Sequence, residues 1–162
     1  MRYAALLILV FVLVFAACEK GKQEVQAGQD MTRSDTEQAR AEPDRITVQH
    51  ILIAFQGSIP KPEVTRTREE AESLAREIYN RALSGEDFDS LVRQYTDDVH
   101  PGIYKMANTD VVPLTGEEEY SRSQMVKAFG DVGFSLPVDG IGLAVYDPET
   151  SKYGWHIIKR LL

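Results

Sequence analysis

The chain has 162 residues, of which 43% are hydrophobic and 27% charged, values that suit one soluble domain with appendages. Its formal net charge is −7 and its lysine and arginine residues form no basic stripe, so nucleic acid is not expected as a partner. A single cysteine, Cys18, excludes a disulfide bond within the chain.

The first residues have the pattern of an export signal. Arg2 supplies a positive charge, and Ala4–Ala17 is an apolar run shorter than the roughly 20 residues of a membrane-spanning helix. Residues 1–17 are therefore predicted to be a cleaved signal peptide. The sequence Ala16-Ala17-Cys18 resembles a bacterial lipoprotein processing site, which implies that Cys18 is lipidated. The alternative is an ordinary signal peptide followed by a cysteine that occurs there by chance.

Residues 18–44 are predicted to form a flexible tether. Val25 and Met31 are its only sizeable apolar residues, too few to drive independent folding. The alternative is a fraying helix through Ser34–Ala41. The lipoprotein resemblance implies anchoring in the cell envelope on the periplasmic side of a membrane, and Glu19 after the cysteine is compatible with the outer membrane.

Residues 45–162 are predicted to form one folded domain that begins with a strand at Ile46–Phe55. This segment is rich in β-branched residues, and both of its alternating faces are largely apolar. The pattern indicates a central strand covered on both sides. His50 interrupts one apolar face, either as a buried, hydrogen-bonded core histidine or as a site residue.

Two helices follow the first strand. Thr67 and Glu70 fit a capping box, and apolar residues from Ala71 to Ala82 recur at helical spacing before Gly85 ends the helix. A second helix from about Asp87 is predicted by apolar residues at the same spacing.

The second half of the domain is less regular. Its predicted elements are a long irregular stretch at Thr96–Tyr120 with a short strand or turn near Ile103–Met106, a short helix within Ser121–Leu136 that carries Met125 and Phe129 on one face, and strands at Gly140–Tyr146 and Gly154–Leu162. Strands at both ends of the domain with helices between them predict an α+β fold.

Five segments in this order resemble the parvulin family of peptidyl-prolyl cis–trans isomerases. They cover roughly Ile46–Leu162 and are Val48–Ile53, Thr65–Ala71, Tyr95–Asp98, Ser123–Phe129 and Gly154–Lys159. The first and last segments each place a histidine before two aliphatic residues, as His50-Ile51-Leu52 and His156-Ile157-Ile158.

The resemblance implies a four-stranded antiparallel sheet surrounded by about three to four helices. It also implies which residues form the site: His50, Asp98 and His156 as catalytic residues, and Met125, Phe129 and Phe134 as the pocket for the proline ring. No cofactor is implied, no histidine spacing predicts a metal site, and a monomer is expected. Without the resemblance, Met125 and Phe129 are also compatible with a core and Asp98 with a turn or cap.

Two positions depart from the family pattern. Tyr153 stands where members often carry serine or threonine, and His100–Asn108 replaces a glycine-rich segment. The apolar pocket residue of that region is left unassigned, with Leu114 as a guess.

The function implied is isomerisation of Xaa-Pro bonds in exported, proline-containing polypeptides by a membrane-anchored folding factor. Lys61 is the only basic residue of the loop Gln56–Glu63, which favours unphosphorylated substrates. The alternative is a peptide-binding module or holdase chaperone of the same fold with weak or no catalysis.

Overall fold

The structure is a computed structural model that describes residues 42–162. The predicted signal peptide, Cys18 and most of the predicted tether lie outside these residues. The elements are β1 (Arg45–Ile53), α1 (Arg68–Leu83), α2 (Phe88–Tyr95), β2 (Ile103–Ala107), β3 (Glu119–Ser121), a 3₁₀ turn (Arg122–Gln124), α3 (Lys127–Ser135), β4 (Ile141–Ala144) and β5 (Trp155–Arg160).

The strands form one mixed sheet in the order β3-β2-β1-β5-β4. β1 lies at the centre, as its apolar faces predict, and pairs antiparallel with both β2 and β5. The expected four-stranded antiparallel sheet is wrong in one respect, because β3 adds a fifth strand that runs parallel to β2. The Glu119 carboxylate holds this strand in place, since it pairs with Arg45 at 3.3 Å and accepts a bond from the Leu114 amide at 2.7 Å.

The two predicted helices between β1 and β2 are confirmed. The Thr67 hydroxyl accepts a bond from the Glu70 amide at 3.1 Å, and the Glu70 carboxylate accepts one from the Thr67 amide at 2.7 Å. This capping box satisfies two amides that have no partner within the first turn of α1. Asp87 caps α2 in the same way by accepting a bond from the Ser90 amide at 2.9 Å.

Apolar side chains cover both faces of the sheet. One face packs against α1 and α2 through Ile51, Ile53, Ile78, Leu91, Val92, Trp155 and Ile157. The other face packs against α3 through Ile46, Val48, Met106, Phe129, Phe134 and Ile158. Alternation along β1 therefore divides its residues between the two cores, and His50 points to the α3 side with only 3% of its surface exposed.

The short helix predicted within Ser121–Leu136 is confirmed as α3, but it begins at Lys127 rather than near Ser123, and a separate 3₁₀ turn precedes it. The 3₁₀ turn ends at Met125, whose backbone is extended. The amide of Ala128 donates to the carbonyl of Thr150 at 2.9 Å, so it does not continue a helix from residue 124. Met125 and Phe129 consequently lie on different elements, although they remain neighbours in space.

The last residues of the predicted tether are bound to the domain. Glu42 forms an ion pair with Arg122, and the carbonyl of Asp44 accepts a bond from the Asn108 amide at 2.8 Å. Among residues 42–162, no helix combines the length and the apolar character that a membrane span requires.

Candidate active site

A cavity of about 400 Å³ opens where the α3 face of the sheet meets the loops that follow β1 and α2. Its lining comes from six separate parts of the chain and consists of His50, Leu52, Ile59, Pro60, Lys61, Asp97, Asp98, Tyr104, Met125, Val126, Phe129, Tyr153 and His156. The set contains five of the six predicted catalytic and pocket residues.

The two strand histidines form the floor of this cavity. β1 and β5 pair so that Leu52 lies opposite His156 and His50 lies opposite Ile158, which places both rings on one face as diagonal neighbours. The rings stack with their centroids 5.5 Å apart and their planes 14° from parallel. The two Nδ1 atoms lie 3.3 Å apart, within hydrogen-bond distance.

Asp98 binds the histidine pair from the side of the cavity. Its Oδ2 atom lies 3.0 Å from His50 Nε2 and accepts a bond from the Tyr104 hydroxyl at 2.9 Å. The bond from His50 lowers the pKa of Asp98 to about 2, and the bond from Tyr104 acts in the same direction. Burial, together with the bond to this carboxylate, raises the pKa of Tyr104 well above its usual value. Asp98 is therefore an anion and Tyr104 a neutral phenol at physiological pH.

These ionisation states determine how protons are arranged in the pair. An ionised Asp98 can only accept, so the Nε2 atom of His50 carries a proton. The two Nδ1 atoms share one proton, which one ring donates and the other accepts. Burial, with a smaller contribution from His50, lowers the pKa of His156 to about 3, so its ring is neutral. Its Nε2 atom has no hydrogen-bond partner within residues 42–162.

The segment that carries Asp98 is bonded along the end of β1. The Leu52 amide donates to the Thr96 hydroxyl at 3.1 Å, and the Asp97 amide donates to the Leu52 carbonyl at 2.8 Å. The Asp97 carboxylate accepts a bond from the Ala54 amide at 2.8 Å and pairs with Arg66. These bonds hold Asp98 against the histidines without any contribution from a ligand.

A second anchor holds the far side of the same loop. The Asp89 carboxylate on α2 accepts bonds from Gln49 at 3.0 Å and from Arg93 at 2.8 Å, and its Oδ1 atom lies 2.9 Å from His100 Nε2. Gln49 also donates to the Pro101 carbonyl at 2.9 Å. His100, for which the sequence predicts no role, therefore belongs to the support of the loop.

Apolar side chains form the wall opposite Asp98. Phe129 is 2% exposed, and its ring centroid lies 5.1 Å from that of His50 and 5.5 Å from that of His156. Met125 and Val126, in the break before α3, extend this wall. Phe129 thus contacts both the polar array and the open part of the cavity.

The assignment of Phe134 to the pocket is corrected by the structure. Phe134 is 2% exposed and lies in the core beneath α3, with the Arg122 guanidinium 4.8 Å above its ring centroid. Five residues along an α-helix correspond to about 500°, so Phe134 points about 140° away from Phe129. Because Phe129 faces the cavity, Phe134 faces the core instead and is not part of the cavity lining.

Tyr104 is the site residue that the sequence interpretation missed. It lines the cavity, whereas Leu114, the guess for this region, is 46% exposed and lies outside the lining. Tyr104 lies opposite Val48 in the β1–β2 register, so it shares the face of His50. Its ring centroid is 5.2 Å from that of His50.

Tyr153 borders the cavity but does not contact the histidines through its hydroxyl. Its side chain is partly exposed, and the Lys152 ammonium lies 5.0 Å from its ring centroid. No bond joins its hydroxyl to His156 among the described residues, which agrees with the unpartnered Nε2 atom of that histidine. Among residues 42–162, no three histidine, cysteine or acidic side chains cluster in a way that could hold a metal ion.

Comparison with known proteins places this arrangement in a family. Residues 31–161 match the family described as the PPIC-type PPIASE domain. The chain is 35% identical over 101 residues to foldase protein PrsA 4 of Bacillus cereus, covering 62% of this chain and 31% of that protein. It is 31% identical over 120 residues to chaperone SurA of Pseudomonas fluorescens, covering 73% and 23%. The chain thus spans less than a third of the length of these curated relatives.

Two solved structures share the fold. The solution structure of TbPIN1 has a TM-score of 0.54 at 24% identity and covers 74% of this chain and 99% of that one. The peptidyl-prolyl isomerase ESS1 from Candida albicans has a TM-score of 0.52 at 21% identity and covers 75% and 65%. Together with the match of the family over most of the chain, the sheet, the paired strand histidines and the Asp98 array show that this chain belongs to the PPIC-type peptidyl-prolyl isomerases, the parvulins.

Proposed function

We propose that the protein is a peptidyl-prolyl cis–trans isomerase that acts on unphosphorylated Xaa-Pro bonds of exported polypeptides. The observation that carries this proposal is the cavity in which the ionised Asp98, bonded to His50 and Tyr104, faces the apolar wall of Phe129 and Met125. His50, Asp98 and His156 are proposed as the polar array of the site, and Met125 and Phe129 as its grip on the proline ring.

The proposed chemistry requires only that a twisted amide be favoured over the planar one. The planar Xaa-Pro amide is separated from its isomer by about 18–20 kcal/mol and isomerises in tens to hundreds of seconds. Conjugation places negative charge on the carbonyl oxygen of the planar amide, and twisting removes part of it. A fixed carboxylate at Asp98 beside that oxygen, in a cavity whose apolar wall excludes water, would destabilise the planar form more than the twisted one.

The histidines support this array without acting as nucleophiles. His156 is neutral and buried, and its Nδ1 atom lies within hydrogen-bond distance of the His50 ring whose other nitrogen donates to Asp98. Tyr104 donates to the same carboxylate oxygen, so two donors orient the charge. The histidine pair is therefore proposed to act through Asp98 rather than on the substrate.

The charges around the cavity support an unphosphorylated substrate. Lys61 is the only cationic side chain in the lining, and its ammonium is bonded to the Asp97 carbonyl at 2.5 Å. Arg66 pairs with the Asp97 carboxylate and is thereby neutralised. A phosphate needs several free donors in one place, and this part of the described chain offers one.

We propose a lipid anchor at Cys18, with residues 1–17 removed and residues 18–44 as the tether to the domain at 45–162. The proposal depends on the Ala16-Ala17-Cys18 sequence and on the export pattern before it. Membrane fractionation of cells that express Cys18→Ser tests it. The variant should move from the membrane to the soluble fraction, and its retention with the membrane would contradict lipidation.

A protease-coupled assay on a short Xaa-Pro peptide tests the enzymatic proposal. The wild type should accelerate isomerisation, while Asp98→Ala and Phe129→Ala should each reduce kcat/KM at least ten-fold. Asp44→Ala is the matched control, because Asp44 is exposed and lies outside the cavity lining. A wild-type rate equal to the uncatalysed rate would refute the enzymatic proposal.

A second candidate function, a peptide-binding module or holdase with weak catalysis, is favoured by one observation. The buried Nε2 atom of His156 has no partner within residues 42–162. Tyr153, which stands where the family often carries serine or threonine, does not reach it with its hydroxyl. An incompletely bonded array would hold its geometry less firmly. Peptide binding without acceleration of isomerisation would support this candidate.

A further inference from the structure

A second groove lies directly beside the candidate active site and shares a wall with it. It has a volume of about 390 Å³, and its lining includes Val99, Ile103, Tyr104, Lys105, Glu118 and Tyr120. Tyr104 lines both cavities, with its hydroxyl directed to Asp98 in the first and its ring packed 5.9 Å from that of Tyr120 in the second. A polypeptide that leaves the first cavity across Tyr104 therefore enters this groove.

The groove presents aliphatic side chains to solvent. Val99 is 64% exposed and Ile103 is 47% exposed, although Ile103 belongs to a strand beside the centre of the sheet. Tyr120 lines the same groove. Exposed apolar side chains next to a binding cavity are typical of a surface that receives a ligand.

One negative charge on this groove has no cationic partner among the described residues. In the run Glu117–Glu119, the first residue pairs with Lys105 at 2.6 Å and the last pairs with Arg45 at 3.3 Å. Glu118 borders the groove, and its only described contact is with the Tyr120 hydroxyl at 3.5 Å. Lys105 also lines the groove, but its ammonium is paired with Glu117, so the carboxylate of Glu118 is the charge that a basic side chain would complement.

We propose that this groove binds the residues on one side of the substrate proline and prefers a large apolar and a basic side chain there. An extended chain advances about 3.3–3.6 Å per residue, so two or three residues suffice to pass Tyr104 and reach Glu118. The inference rests on the proposed function, since it takes the first cavity to be the proline site. It concerns β2 and the acidic segment before β3, where this chain departs from the expected four-stranded sheet.

The test uses the purified full chain and fluorescent peptides that contain one proline. Lysine, glutamate, leucine or alanine is placed in turn at the two positions before and the two positions after the proline. Binding is measured by fluorescence anisotropy, and isomerisation is measured separately on the same peptides. On one side of the proline, lysine should bind about two- to five-fold more tightly than glutamate at low salt. At 1 M salt, where charges are screened within about 3 Å, this preference should vanish.

Two variants and a control separate this groove from the general acidity of the protein. Glu118→Gln should abolish the lysine preference, and Ile103→Thr should reduce the leucine preference over alanine by about three-fold. Glu149→Gln removes the same charge from an exposed turn outside both cavities and should keep both preferences.

The outcomes distinguish this inference from the proposed function. The proposed role of the groove is refuted if peptides with lysine and with glutamate bind equally well, whichever side of the proline carries the residue. A lysine preference that persists in Glu118→Gln refutes it as well. A Glu118-dependent preference without any acceleration of isomerisation supports the groove and overturns the enzymatic proposal. Failure of every peptide to bind overturns both.

Discussion

Replacing Asp98 with asparagine tests whether the carboxylate charge holds the polar array together. His50 Nε2 and the Tyr104 hydroxyl both donate to the same oxygen, at 3.0 and 2.9 Å. Asparagine has the same shape and can place its carbonyl oxygen at that point. The substitution therefore keeps both hydrogen bonds and removes only the charge that strengthens them.

The expected loss of stability is about 2 kcal/mol at pH 7. A hydrogen bond to a charged group contributes about 1.5–3 kcal/mol and a neutral one about 0.5–1.5, so two bonds lose about 2 kcal/mol together. The pKa gives a comparable value, because a fall from 3.8 to about 2 corresponds to roughly 2 kcal/mol at about 1.4 kcal/mol per pH unit. Partial exposure of the side chain, 31%, makes this an upper value.

Urea denaturation followed by tryptophan fluorescence measures the effect. Trp155 is the only tryptophan in the chain and is 3% exposed, so its emission reports unfolding of the domain. With a denaturant slope of about 1–3 kcal/mol per molar urea, the midpoint of Asp98→Asn should fall by about 1 M. Asp110→Asn, an exposed aspartate at a backbone φ of 68°, is the control and should leave the midpoint unchanged, since asparagine tolerates this conformation.

The pH dependence gives the result that would refute this reasoning. The folded-state pKa of Asp98 is depressed, so its contribution is complete above about pH 4 and is lost as the pH falls towards 2. The difference between wild type and Asp98→Asn should shrink over that window. A difference below about 0.5 kcal/mol at pH 7, or one that stays constant down to pH 2, would show that the charge does not hold the array.

Three further predictions concern the floor and walls of the cavity. Phe129→Leu should lower kcat/KM for an Xaa-Pro peptide several-fold, whereas Phe134→Leu, a core substitution that costs about 1 kcal/mol, should change only the urea midpoint. Gly102→Ala should destabilise the domain by about 2 kcal/mol or more in urea denaturation, because φ is +65° and the new Cβ would lie 2.6 Å from the His50 carbonyl oxygen. Burial lowers the pKa of His156 in the folded protein to about 3, whereas the ring has a pKa near 6.5 when unfolded. Above pH 6.5 the ring is neutral in both states. Between pH 6.5 and 3 the unfolded chain binds the extra proton, so the free energy of unfolding falls by up to about 1.4 kcal/mol per pH unit as the pH is lowered. Urea titrations across this range should show that His156→Gln lacks this part of the slope, and an identical slope in both proteins would contradict the burial of a neutral ring.

The elements that sequence alone predicts well are those determined by neighbouring residues. The capping box of Thr67 and Glu70 and the helical spacing that follows it are local patterns, and both occur in α1 as expected. The two apolar faces of β1 likewise predict a central strand, because each face must be covered by something. The chemistry of His50 followed from the family resemblance rather than from its own segment.

The elements that sequence left open or missed, β2 as a strand or turn and β3 altogether, depend on partners far along the chain. β2 pairs with β1 across more than fifty residues, and its five residues are too short to identify a strand on their own. Had Ile103–Ala107 been treated as a strand paired with β1, alternation would have placed Tyr104 on the face of His50. That signal was present, whereas β3 has three residues and is defined only by its contacts with β2.

Phe129 and Phe134 show a third limit of prediction from sequence, which concerns residues of the same type on one helix. Both are aromatic, both are nearly fully buried and both belong to α3, so composition does not distinguish a cavity wall from a core residue. Their separation of five residues does distinguish them once the helix is known to begin at Lys127. The helix start is set by the bond between Ala128 and Thr150, which links residues too far apart for a sequence pattern to reveal.

The shortness of the two outermost strands limits how this domain can associate with other extended chains. An exposed strand edge offers unpaired amides and carbonyls on which another extended chain can assemble, and aggregation often begins there. β3 has three residues directly after an acidic run, and β4 has four residues, one of them Gly142. Neither edge is long enough to template another chain into a growing sheet. The sheet of this domain is therefore protected from edge-to-edge assembly by the length of its outer strands alone.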